Sequence, residues 1–289
     1  LRQSFFLPFH PRRSIPSVVH EVKRLSSEGV REFNLIAQDS SFYGRDLNDG
    51  TTLARLLKEL VKIDNVKWIR LFYLYPTYFD DELLEIITKE EKICKYVDIP
   101  LQHISDSVLR RMHRRDSSQS IKKLLKKLRN TTPYITIRTT LMVGFPGETE
   151  ADFKELLTFI KAVKFDNMGA FTYSAQDGTP AARMVDQVTE EIKENRYHEL
   201  MAAQAEISEE NNRNLIGVDT EVLVEELLDD GCGNLQAKGR ASFQAPEVDG
   251  NVYIDHPGDL RPGDFVKAHI IDGYAYDLIA ERITTDRGI

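Results

Sequence analysis

Residues 135–153 read ITIRTTLMVGFPGETEADF, and this stretch decides the fold. Its first half, Ile135 to Val143, is a run of β-branched and apolar residues, the composition of a buried strand. Gly144-Phe145-Pro146-Gly147 follows as a sharp turn of chain breakers. Phe153, Leu156, Leu157 and Ile160 then recur at helical spacing. Thr149 is placed to cap that helix, with acids near its first turn to suit the dipole. Strand, turn and helix in this order put the turn at the carboxyl end of a parallel strand, where α/β folds keep their ligands. A plain βα connection needs the same two glycines, so the rest of the chain has to decide.

Outward from this stretch the same grammar repeats. Strands are expected at 32–37, 68–74, 96–99, 135–143 and 167–173. Helices are expected at 15–29, 51–63, 80–88, 106–112, 118–130, 150–163 and 189–214. Ser14 and Pro16 suit the start of the first of these helices. The opening residues, LRQSFFLPFHPRRS, show no clean period. Alternating strands and helices specify a parallel sheet with crossover helices, an α/β fold. Five strand–helix units are too few for a closed eight-fold barrel, so an open, partial parallel β/α barrel is expected. After Gly217 the pattern changes to short strands at 220–226, 236–242, 251–254, 264–271 and 278–282, divided by Asp-Gly and Pro-Gly turns. That is the signature of a small all-β barrel. The expected domains are 1–213 and 214–289.

The chain has 289 residues, 41% of them hydrophobic, enough for a large α/β domain and a small second one. No apolar run reaches bilayer length, which argues against a membrane partner, and no signal-peptide pattern is read. The expected compartment is therefore cytoplasmic. Cys94 and Cys232 have neither disulfide nor metal-ligand spacing. The net charge of −8 is unevenly spread: residues 214–289 hold 15 acidic and 6 basic residues, net −9, which leaves +1 for residues 1–213. An acidic barrel is a poor surface for nucleic acid, whose phosphates need Lys and Arg. It suits a basic protein partner.

Polar residues gather after the strands: Gln38, Asp39, Ser40 and Ser41; Tyr73, Tyr75 and Pro76; Gln102, His103, Ser105 and Asp106; Arg138 and Thr140; Gly144–Glu148; Tyr173 and Ser174. Each alone is more often a satisfied loop residue, but together they share one mouth of the sheet, where a small polar ligand would sit. His103 could be a general base, although a structural hydrogen bond is the commoner role. Arg110, Arg111, Arg114 and Arg115 with His113 form a basic cluster, either a solvated helix end or an anion contact. Lys122, Lys123, Lys126 and Lys127 read as the exposed face of an amphipathic helix. The sequence holds no Walker-type loop, no G-x-G-x-x-G after a strand, no G-x-S-x-G and no H-E-x-x-H.

Four segments in this order, IAQDSSFYGRD, LFYLYP, YVDIPLQHISDSVLRRMHRR and RTTLMVGFPGETEADF, resemble the methylthiotransferase branch of the radical SAM enzymes. The tail, with APEVDG at 245–250, resembles the small TRAM barrel that closes those chains. The likeness spans roughly residues 14–283. Gln102-His103 and APEVDG resemble the ribosomal-protein enzymes more than the tRNA-modifying ones. The resemblance implies methylthiolation, at the β-carbon, of an aspartate in the twelfth small-subunit ribosomal protein, a basic protein. It implies S-adenosylmethionine (SAM) and two 4Fe–4S clusters as cofactors. It places Gln38 and Asp39 near the methionine amino group and Gln102, His103 and Ser105 on a substrate- or SAM-facing loop. Arg138 and the turn Gly144, Phe145, Pro146, Gly147 and Glu148 correspond to the elements around ribose and adenine.

The family holds its radical-generating cluster by C-x3-C-x2-C, since thiolates are the ligands of such clusters. That place corresponds to Gln3-Ser4-Phe5-Phe6-Leu7-Pro8 or lies before Leu1, and no cysteine precedes Cys94. The intact remaining motifs favour a chain that begins after the cysteines, or a cluster loop left out of it, over a paralogue that has lost them. The chain as it stands is expected to generate no radical. Two other readings stay open: a tRNA adenosine methylthiotransferase, which a basic barrel would favour, and a non-catalytic module that binds a ribosomal protein.

Overall fold

The computed structural model describes residues 4–6 as backbone, and residues 13–45, 47, 49–229 and 235–284. The chain divides into two compact units, Leu1–Met201 and Ala202–Ile289.

The first unit is built in chain order on one parallel sheet. Its elements are β1 (Ser4–Phe6), α1 (Ile15–Ser27), β2 (Glu32–Ile36), α2 (Leu53–Leu60), β3 (Trp68–Leu71), α3 (Asp81–Lys89) and β4 (Ile93–Asp98). There follow α4 (Asp106–Arg111), α5 (Ser118–Arg129), β5 (Thr136–Val143), α6 (Glu150–Val163) and β6 (Asn167–Thr172). The helix α7 (Glu190–Arg213) begins here and runs on into the residues of the second unit. The strand order β1-β2-β3-β4-β5-β6 is sequential, so every crossover advances by one strand. Among the described residues the sheet stays open, with β1 and β6 as its edges. The partial barrel expected from the sequence is therefore observed, with one strand more. β1 pairs in parallel with β2, Ser4 beside Asn34 and Phe6 beside Ile36. A strand this short has too few residues to display a period, which is why the sequence did not reveal it.

Local chemistry accounts for the helix starts. Ser14 caps α1 by accepting from the Ser17 amide, and Pro16 occupies the first turn. Thr149 caps α6 in a reciprocal box with Asp152. The crossover helices each bury one stripe, such as Leu53, Leu56, Leu57 and Leu60 of α2 and Phe153, Leu156, Phe159 and Ile160 of α6. β3 is shorter than the expected 68–74. The backbone leaves the strand at Tyr73, whose φ is +55°, and the Tyr73 and Leu74 amides turn to the Asp98 carboxylate and carbonyl at 3.1 and 2.8 Å.

The second unit holds a closed five-stranded barrel of β7 (Asp219–Asp229), β8 (Leu235–Ala241), β9 (Val252–Asp255), β10 (Phe265–Gly273) and β11 (Leu278–Arg282), in the order β10-β11-β9-β8-β7. β7 pairs with both β8 and β10, which closes it. Closure removes the unpaired edges that short strands would otherwise expose. Its interior is aliphatic, with Val222, Val224, Ile254, Ala268, Ile270, Leu278 and Ala280 fully or almost fully buried. The APEVDG motif lies between β8 and β9. Asp249 accepts from the Ala245 amide at 2.8 Å, and the next residue, Asn251, is held by Asp277 at 2.8 Å.

Candidate functional site

Strand alternation gives the parallel sheet two unlike faces. Phe33 and Leu35, Ile69 and Leu71, Val97, and Ile137, Leu141 and Val143 lie on one of them, and all are buried. The other carries Asn34 beside Arg70, Tyr96 beside Thr136, and Asp98 beside Arg138 beside Asn167. Arg70 has no exposed surface; it meets Glu32 Oε1 at 3.3 Å and lies over the Tyr96 ring at 4.8 Å. Burying such charges is costly unless they are paired, so this row is held by mutual compensation. Arg138 donates to Asp98 Oδ1 at 3.4 Å and to Thr140 Oγ1 at 3.2 Å. Its other guanidinium nitrogen rests against Gly169, where a Cβ would stand 3.3 Å away. Asn34 Oδ1 is buried and has no hydrogen-bond partner among the described residues.

Arg138 was legible in the sequence, whereas Glu32, Asn34, Arg70, Tyr96 and Asp98 were missed. One signal could have found Arg70: a lone charge between Ile69 and Leu71 in the middle of an otherwise apolar strand.

The loops after β2 and β3 are knitted together at the carboxyl edge. Gln38 is exposed and Asp39 half-buried. Asp39 caps the turn Ser40–Phe42, accepting from Ser41 Oγ at 2.5 Å and the Phe42 amide at 3.2 Å. Burial raises its pKa against the pull of those bonds. Ser41 Oγ accepts from the Tyr75 amide at 3.1 Å, and the Ser40 amide donates to the Tyr73 carbonyl at 2.9 Å.

Gln102 has a φ of +67° and rejoins the sheet beside Leu141, its amide on the Thr140 carbonyl at 2.9 Å. His103 is completely buried, and its Nδ1 accepts from the Ser105 amide at 3.0 Å. That bond puts the ring proton on Nε2, which has no partner among the described residues. Burial pushes its pKa down to about 4, with nearby Asp152 opposing and Arg196 adding to the shift. His103 is therefore a neutral donor, and the structural role outweighs that of general base. Ser105 Oγ donates to Asp152 Oδ1 at 2.5 Å, beside Ser107 Oγ at 2.7 Å. Both residues thus face the start of α6, not an open cleft. Burial works to raise the Asp152 pKa, but bonds from Ser105, Thr149 and Ser107 outweigh it and hold the carboxyl below the ordinary range.

The Gly144–Gly147 turn folds around Glu148. Both the Gly144 and Phe145 amides donate to Glu148 Oε2, the latter at 3.2 Å. Glu148 is buried, and Oε1 takes Arg196 of α7 at 3.1 Å. Burial pushes its pKa up to about 7, opposed first by Arg196 and then by the two amides. Gly144 has a φ of +73°, and a Cβ there would overlap the Lys193 stem. Pro146 is buried, and Phe145 packs edge-on against Tyr173 with centroids 5.1 Å apart. The turn thus buries Phe145 and Pro146 as well as its acid.

Most of the basic cluster is engaged: Arg111 with Asp186 at 2.6 Å, Arg114 with the Pro100 carbonyl at 2.5 Å, and Arg115 with the Tyr78 hydroxyl at 3.1 Å. The four lysines of α5 are exposed. Among the described residues no helix is long and apolar enough to cross a membrane.

Residues 6–160, more than half of the sequence, match the radical SAM superfamily. The chain belongs to the radical SAM superfamily. Residues 216–283 of this radical SAM chain match the TRAM domain. It is 50% identical over 273 residues to a ribosomal protein uS12 methylthiotransferase RimO of Pelobacter propionicus, covering 94% of this chain and 60% of that protein. It is 48% identical over 269 residues to the RimO of Geotalea uraniireducens, covering 93% of this chain and 59% of that one. The radical SAM chain therefore spans about 60% of the length of the curated relatives it matches. A solved structure, coproporphyrinogen III oxidase (HemN) from Escherichia coli, aligns with a TM-score of 0.51 at 15% identity over 67% of this chain and 46% of that one, a likeness of fold alone.

The superfamily implies SAM and a 4Fe–4S cluster. The residues present fit the first: the unpartnered Asn34 Oδ1 and Ser40 Oγ, the half-buried Arg138 and the backbone of the turn offer a polar ligand both donors and acceptors. They do not fit the second. Cys94 is buried in β4, and among the described residues no three metal-ligating side chains gather. Cys232 lies outside the described residues.

Proposed function

We propose that this chain is the SAM-binding core and C-terminal barrel of a methylthiotransferase that modifies an aspartate of ribosomal protein uS12. The observation that carries the reading is the match of 48–50% identity along 93–94% of the chain to enzymes of that name. The one-sided polar row of the sheet supports it, because it offers a ligand a polar wall on an otherwise apolar scaffold. SAM, when bound beside a reduced cluster, supplies the radical chemistry of this superfamily. The chain's own residues bind and orient. Gln38, Asp39 and the backbone at Gln102 face the methionine end, Arg138 the ribose, and Gly144, Phe145, Pro146 and Gly147 the adenine. His103, Ser105 and Glu148 act from behind, fixing the loop and the turn. The acidic barrel docks the basic ribosomal protein, in the cytoplasm, by charge complementarity.

Two measurements test this. Mass spectrometry of uS12 from cells with and without the gene is expected to show one methylthiolated aspartate only in the former. An unmodified uS12 in both would sink the reading. Calorimetry with S-adenosylhomocysteine, which needs no cluster, is expected to show binding that Arg138→Met weakens at least about tenfold, the worth of one charge-assisted hydrogen bond.

A further inference from the structure

Arg196 belongs to α7 and reaches the turn from that helix. Its side chain is only 8% exposed, and the Glu148 carboxylate it meets has no exposure at all. The Arg196 guanidinium spans Glu148 Oε1 at 3.1 Å, the Glu148 carbonyl at 3.2 Å and Glu150 at 3.6 Å, and stands 5.5 Å from the Phe153 ring. One turn earlier, Lys193 lies under Gly144, with Nζ 5.5 Å from the Tyr173 ring and 2.6 Å from Glu190. α7 therefore reaches the turn twice, through a cation each time.

We propose that Arg196 is a positioning residue for the Gly144–Gly147 turn, acting through Glu148 to keep the carboxylate ionised so that it pins the Gly144 and Phe145 amides. The proposal rests on the reading of that turn as a wall of the SAM pocket. An ionised carboxylate accepts these two bonds more strongly than a neutral acid does. Burial works against ionisation, and the first opposing influence is Arg196. The other charged groups around Glu148 are Asp152 and Glu150 of α6 and Lys193 and Glu190 of α7; the titratable His103 beyond Asp152 is neutral. Asp152 also disfavours the charge, and of the groups that favour it Arg196 comes first, ahead of the two amides.

A residue that merely glued α7 to the sheet would, on removal, loosen many amides of the unit alike, with no selective loss at Gly144 and Phe145 and no recovery as the pH is raised. The test is an NMR titration of the Glu148 carboxyl carbon together with amide exchange protection, on the unaltered chain, Arg196→Met and Arg196→Lys. In Arg196→Met the midpoint is expected to rise by about one pH unit or more. Protection of the Gly144 and Phe145 amides at pH 7.5 falls about tenfold, while amides of α2 stay unchanged. Arg196→Lys, which keeps the charge and folds even if the methionine variant does not, shifts the midpoint by roughly half as much. An unmoved midpoint, or a loss of protection spread evenly over α2 and α6, would overturn the proposal. S-adenosylhomocysteine affinity is expected to fall about threefold in Arg196→Met at pH 7.5 for a one-unit rise, and to recover as the pH is raised and Glu148 ionises. Failure of the unaltered chain to bind it would count against the pocket, while the amide and carboxyl signals still judge the role of Arg196.

Discussion

The sheet and the barrel solve opposite problems. The barrel turns aliphatic side chains inward from all five strands, and among its described strand residues only Arg240 is a buried charge, satisfied by Glu225 at 2.7 Å and the Gln244 carbonyl at 2.9 Å. The open sheet buries aliphatics on one face and sets Glu32, Asn34, Arg70, Tyr96, Asp98 and Arg138 on the other. A closed barrel this small is filled by its own side chains. An open parallel sheet leaves a face for something else, and polar groups there add little stability against well-packed apolar ones. The difference teaches that burial alone does not mark a core: one interior holds the fold, the other is the proposed wall for a ligand.

Substitutions in the polar row put this contrast under the greatest strain. Glu32→Leu leaves Arg70 buried without that carboxylate and is expected to cost about 4 kcal/mol in denaturant unfolding. The double variant Glu32→Leu with Arg70→Met is expected to regain most of that loss while losing S-adenosylhomocysteine affinity. If the double variant stays as unstable as the single one, the row is structural after all. In the barrel, Ile254→Ala should cost about 3 kcal/mol by the cavity it opens, with ligand affinity untouched.

The acid response offers a finer test within the first unit. Below about pH 6.5 the unfolded chain protonates its histidine, while native His103 resists until about 4, so this group removes stability as the pH falls. Glu148 acts in reverse: its native pKa of about 7 exceeds the ordinary 4.5, so it removes stability as the pH rises between those values. The two slopes oppose each other in the unaltered chain. His103→Leu is expected to expose the second, gaining about 2 kcal/mol from pH 7 to pH 5 relative to the unaltered chain. An unchanged pH profile would contradict the buried environment of His103. Smallest of all, Thr149→Ala should cost about 1 kcal/mol as the α6 cap is lost, with no effect on the barrel.

Periodicity carried the fold because long-range packing repeats locally. The Leu53, Leu56, Leu57 and Leu60 stripe and the all-apolar run from Leu141 to Val143 with its breaker turn are visible within a few residues. β1 escaped because three residues hold no period, and its partner Asn34 lies far along the chain. Part of the proposed site could be named from the sequence. The loops after the strands are polar and cluster by topology, so Gln38, Asp39, Gln102 and Arg138 could be picked out. What the sequence could not convey is direction. Glu148 lies in a loop motif yet turns inward to its own backbone, and its partner Arg196 comes from 48 residues further on. Pairings over that distance leave no mark in local spacing.

The barrel's strand order has a consequence for timing. β11, the last of the described strands, sits between β9 and β10, parallel to the first and antiparallel to the second. The ring cannot close until Leu278–Arg282 is available to fill that slot. During synthesis the sheet unit, whose strands pair in the order they emerge, assembles as it is made. The barrel's ring therefore cannot be complete before residue 282 has cleared the ribosome's exit tunnel.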